Sequence, residues 1–138
     1  MKDVACTVCG VFGSAIAYLF GGWDNALICL VIFMCLDIVT GLIVALIFHN
    51  SPKNANGKIE SRQFLKGVFK KFGMICLICT AHLLDNVLEV NFIKTATTIA
   101  FIVNEVISIT ENTALMGIPM PEPILNALEI LTKKEEQK

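Results

Sequence analysis

Residues 26–48 read ALICLVIFMCLDIVTGLIVALIF, an unbroken apolar run of 23 residues carrying a single charge, Asp37. A helix rises about 1.5 Å per residue, so this run is long enough to cross the roughly 30 Å hydrocarbon core of a bilayer. Working outward, Val4–Trp23 is a 20-residue stretch with no charge at all. Downstream, Phe72–Ile93 spans 22 residues with Asp85 and Glu89 as its acids, and Thr95–Thr110 spans 16 with Glu105 alone. Acidic groups are costly near a bilayer centre, so the last two give weaker hydropathy signals than the first two.

Composition agrees with that reading. The 138 residues are 55 % hydrophobic and only 17 % charged, and mean hydropathy is +0.70. Soluble domains carry about 25 % charged residues, and a small domain has a high ratio of surface to volume. A soluble monomer of this size lacks the polar side chains to cover itself. Intrinsic disorder is excluded and a soluble enzyme disfavoured. The expected fold is an all-α membrane protein with about four transmembrane helices, near residues 4–22, 26–48, 72–90 and 94–110. Residues 1–112 form the transmembrane domain, and 113–138 a Pro-containing turn and cytoplasmic tail. The short Met1-Lys2-Asp3 head and the weak Ala15-Ile16-Ala17 site argue against a cleaved signal peptide.

Charge placement orients the chain. The net charge of −1 says nothing about nucleic acid or anionic partners, but the segment from His49 to Lys71 concentrates Lys53, Lys58, Arg62, Lys66, Lys70 and Lys71 against Glu60 alone. The positive-inside rule makes that loop cytoplasmic. Four spans then put both termini inside, leaving Lys94 as the one basic residue outside. Asn50–Lys58 reads as a turn-rich connector. From Ser61, a plausible N-cap, Phe64, Leu65, Val68, Phe69 and Phe72 mark one helical face. Arg62, Lys66, Lys70 and Lys71 favour the other, as in a basic amphipathic helix that runs into a span and lies on the inner membrane surface, drawn there by anionic lipids. Topology alone also explains those charges.

Beyond Glu111, Gly117-Ile-Pro119-Met-Pro121-Glu-Pro123 cannot continue a helix. Gly117, Pro119 and Pro121 define a turn that redirects the chain along the cytoplasmic surface. Ile124, Leu125, Leu128 and Leu131 then mark a short amphipathic C-terminal helix.

Polar residues within the spans are the candidate functional positions. Asp37, Gly41 and Ala45 recur at four-residue spacing, which lets helices approach closely. His82, Asp85 and Glu89 form one stripe on the third span, read as a polar seam in preference to a metal site. Glu105, Ser108 and Asn112 form another on the fourth, with Asn104 and Glu111 beside it. Each stripe is expected to line a pore or an oligomer seam. Cys6-x-x-Cys9 and Cys76-x-x-Cys79 lie inside apolar spans, where cysteine packs as a small hydrophobe. No nucleophile–base pair or phosphate loop is recognisable. Neither catalysis, metal, cofactor nor nucleic acid is expected.

These residues bear a family resemblance. Glu105-x-x-Ser108-Ile109-x-x-Asn112-x-x-x-x-Gly117-x-Pro119-x-Pro121-x-x-x-Leu125 resembles the signature of the toxin-secretion/phage-lysis holins. Asp37-x-x-x-Gly41-x-x-x-Ala45 and the basic run Gly67-x-x-Lys70-Lys71 leading to Asp85 add to it, so the likeness covers about residues 35–130. His82 and Glu89 are outside that pattern. The resemblance implies a phage or prophage protein of the bacterial cytoplasmic membrane. It would homo-oligomerise and open lesions through which endolysin or toxin passes as cargo. Two other classes fit the polar stripes: a small homo-oligomeric ion channel or transporter subunit, and a membrane adaptor docking a partner through its tail.

Overall fold

The computed structural model describes residues 1–48 and 61–136, with side chains described for 1–48 and 64–133. The Asn50–Lys58 connector, Lys53 and Lys58 lie outside the described residues, as does the side chain of Arg62. Five α-helices follow in order: α1 Lys2–Leu19, α2 Asn25–Ile43, α3 Ser61–Leu88, α4 Ile93–Leu115 and α5 Glu122–Glu136. A π-helical turn, Val44–Phe48, prolongs α2. There is no strand among the described residues. Four helical stretches are long and apolar enough to cross a membrane: Lys2–Leu19, Asn25–Phe48, Phe64–Leu88 and Ile93–Leu115.

Two boundaries differ from the sequence reading. The amphipathic segment after Ser61 runs without a break into the third span, so that helix begins at Ser61 as one continuous 28-residue α3. No proline interrupts Ser61–Leu88, and Gly67 and Gly73 alone do not stop a helix. Likewise α4 passes Thr110 and carries Glu111 and Asn112 as helical residues, because nothing breaks it before Gly117.

Local chemistry fixes each helix end. Asp24 caps α2, its carboxylate accepting from the Leu27 N–H at 2.8 Å. Gly21 (φ 66°) closes α1: its N–H donates to the Tyr18 carbonyl, and that of Gly22 to the Ala17 carbonyl. Gly117 (φ 82°) repeats the arrangement on α4, with Gly117 N–H to Ala114 O at 2.9 Å and Ile118 N–H to Thr113 O at 3.1 Å. Both are Schellman ends, for which glycine is the favoured residue.

Packing centres on α2, α3 and α4. Leu27, Leu30 and Met34 from α2, Met74 and Ile78 from α3, and Ile102 from α4 form the buried cluster. The broadest contact is α2 with α4, whereas α1 touches only α3 among the described elements. No residue of α1 is buried. Outward surfaces carry Val11, Phe12, Ile32, Leu36, Phe69, Phe72 and Leu77, a girdle suited to lipid. The turn at 117–121 reverses the chain, α5 packs on α4, and Leu131 reaches the buried cluster.

Candidate functional site

Three ionisable side chains from three helices meet inside the bundle. Lys71 on α3 lies 2.8 Å from the Asp37 carboxylate on α2 and also bonds the Glu105 carboxylate on α4. Glu105 is 2 % exposed. Glu105 sits twelve residues beyond Ile93, about 18 Å along α4, which is near the middle of a roughly 30 Å hydrocarbon layer. Charges at that depth persist only when paired, and one ammonium here serves two carboxylates. The sequence reading put Lys71 with the membrane-surface lysines. Its place is instead the centre of this triad, while Lys66 and Lys70 remain exposed. A helix turns about 100° per residue, so adjacent Lys70 and Lys71 diverge, and the inward one finds the acids.

A second layer lies toward the loop-49 end of the bundle. The Asn112 carboxamide donates to the Asp37 carboxylate and to the Thr40 hydroxyl, each at 3.0 Å. Gly41 faces the same carboxamide: a Cβ there would lie 3.7 Å from the Asn112 amide nitrogen, an ordinary van der Waals contact. The two motif halves, Asp37-x-x-x-Gly41 and Glu105…Asn112, are therefore one constellation divided between α2 and α4. Ser108 is half-buried between Glu105 and Asn112 and makes no side-chain hydrogen bond with another described residue. Ala45 falls in the π-helical turn.

The His82–Asp85–Glu89 stripe separates into three different roles. Asp85 caps α4 from the preceding helix, accepting from the Ile93 and Lys94 N–H groups at 2.9 Å each. The first residues of α4 offer no capping side chain of their own, and Asp85 stands in for one. His82 bonds Asn86 at 3.2 Å, and its ring occupies the space beside Gly21. Glu89 is exposed with φ 53°, a left-handed residue ending α3 where glycine is usual. None of the three touches the triad.

Sequence reasoning missed two connections. Lys94, read only as the one external basic residue, bridges to Asp24 at 2.6 Å and so ties the α1–α2 turn to the α3–α4 hairpin. Burial alone would raise the Asp24 pKa. The Lys94 bond and the Leu27 and Ala26 N–H groups outweigh it and hold the carboxyl below its ordinary value. The other missed connection is the pairing of Lys71 with Asp37; the signal was an acid in span two and a base entering span three. All six cysteines are free, and no cluster among the described residues has the makeup of a metal site.

The bacteriophage holin family model matches residues 14–133. A Halalkalibacterium halodurans protein is 34 % identical over 134 residues, covering 93 % of each chain. A 14.9 kDa Clostridium perfringens protein is 36 % identical over 126 residues, covering 89 % of each. A Bacillus phage phi105 protein named a probable holin is 32 % identical over 123 residues, 88 % of this chain and 84 % of its own. No solved structure matches the chain.

Proposed function

The chain belongs to the bacteriophage holin family, and on that footing we propose that it accumulates as a homo-oligomer in the membrane and permeabilises it to release an endolysin or a toxin. Its family and four candidate spans make it a multi-pass protein of the bacterial inner membrane. Holins are not an enzyme family.

The observation that carries the proposal is the Asp37–Lys71–Glu105 triad. Three helices bring two acids and one base together near mid-membrane, so that each carboxylate is paired with the Lys71 ammonium within one chain. A single copy can therefore reside in lipid with its charges covered. The same groups supply a polar lining when copies gather and the helices part. The positive-inside rule orients the protein with both termini and the 49–60 loop in the cytoplasm.

An ion channel would use the same carboxylates, and the two differ in what passes. Induction in a bacterial host, with a folded cytoplasmic fluorescent protein as cargo, separates them. Release of the folded protein, and lysis when an endolysin is co-expressed, is the expected result. Leakage of ions without protein would favour the channel, and no leakage of either would defeat the proposal.

A further inference from the structure

The polar residues first expected to face other copies are mostly used within the chain. Asp37, Glu105 and Asn112 pair with Lys71 and Thr40, and Asp85 caps a helix. Another polar side chain remains on the outside. Asn104 is exposed on α4, about 16 Å along the helix and so near mid-bilayer. It makes no hydrogen bond with another described side chain. An uncovered carboxamide in hydrocarbon is costly.

Its surroundings have a regular form. Thr97, Ala100, Asn104, Ile107, Glu111 and Ala114 follow the alternating three- and four-residue spacing of a helix–helix seam. The last four are exposed and the first two half-buried. Small residues at 97, 100 and 114 let a partner helix approach closely. Glu111 lies about 27 Å along α4, at the aqueous boundary, where its charge stays solvated. Other copies insert with the same orientation, so two α4 helices meet in parallel. A carboxamide both donates and accepts, so Asn104 on a two-fold axis satisfies its counterpart. A single asparagine in an apolar seam also fixes register.

We propose that this face of α4 is a parallel, two-fold contact with a second copy of the chain, its register set by Asn104 pairing with Asn104. The proposal rests on the reading of the protein as a self-assembling holin and names the surface that assembly uses.

The test is disulfide cross-linking in membranes, starting from a variant with all six native cysteines replaced that still accumulates in the membrane on induction. Single cysteines at Asn104, Ile107 and Ala114 should trap dimers, while Ile32→Cys on α2 and Leu77→Cys on α3 should not. Asn104→Leu should weaken the dimer about 3- to 20-fold, the range for hydrogen bonds between membrane helices, and Asn104→Gln should restore it. Cross-links at Ile32 or Leu77 with none on α4 would overturn the proposal, as would an Asn104→Leu protein that dimerises like the wild type. If permeabilisation persists in that case, the functional reading stands and the interface is wrong. Cross-linking on α4 without any permeabilisation would uphold the interface and sink the function. A wild-type monomer in lipid would end both.

Discussion

The Lys71 ammonium lies 2.8 Å from the Asp37 carboxylate, joining α3 to α2 at the level where α4 presents Glu105. One base between two acids makes the site asymmetric. Removing Lys71 strands the buried Glu105 carboxylate and the half-buried Asp37 carboxylate, whereas removing one carboxylate leaves a neutral pair. Lys71→Met should therefore cost about 3–5 kcal/mol, the range for breaking a buried pair, and Glu105→Gln distinctly less. Thermal unfolding in detergent micelles measures both. Equal losses, or a milder Lys71→Met, would mean that Lys71 does not hold the acids together.

Asp85 caps α4 through two backbone N–H groups. Asp85→Ala should lower stability by about 1–2 kcal/mol, as for loss of a good N-cap, and Asp85→Asn by less. Hydrogen exchange at Ile93 to Ala96 should quicken locally in the alanine variant. Unchanged exchange there would place the role of Asp85 elsewhere, in the oligomer or a lumen.

Two left-handed helix ends make opposite predictions. Glu89 carries a side chain at φ 53° where glycine fits better, so Glu89→Gly should stabilise the hairpin by about 1 kcal/mol. Gly117 is at φ 82°, and Gly117→Val should destabilise by a similar or greater amount through backbone strain alone, since a Cβ there meets nothing. Melting curves that move the same way for both variants would contradict this account.

At Gly21 both strain and crowding act. Besides φ 66°, an added Cβ would come within 2.7 Å of His82 Nδ1. Gly21→Ala should loosen α1, and His82→Ala in the same chain should recover the crowding part while leaving the backbone strain. Proteolysis near Trp23 reads both. A double variant as labile as the single would show that His82 packing is irrelevant to that turn.

Asp24 has a lowered folded-state pKa, so its bond to Lys94 stabilises above the unfolded value of 3.8 and is lost as pH falls through the folded value. The side chain is half exposed, which keeps the effect small. Asp24→Asn should flatten the acid limb of the stability profile below about pH 4. An unaltered limb would assign acid sensitivity to other carboxylates.

Hydropathy was enough to number the spans, because a run such as 26–48 has no soluble packing that would hide it, and lipid rewards length and apolarity regardless of neighbours. Gly117 at a left-handed helix end was likewise legible, since few residues tolerate that backbone and prolines follow at once. What each polar residue does was decided only by the tertiary structure. His82, Asp85 and Glu89 share one helical stripe, yet the first packs on a turn, the second caps another helix and the third ends its own. Lys71 is chemically the same as Lys70 beside it. A local pattern reports which face a residue occupies, whereas a buried charge is settled by whatever opposite charge another helix brings within bonding distance. For Lys71 that is a pair of acids 34 residues away in each direction, brought near only when three helices pack.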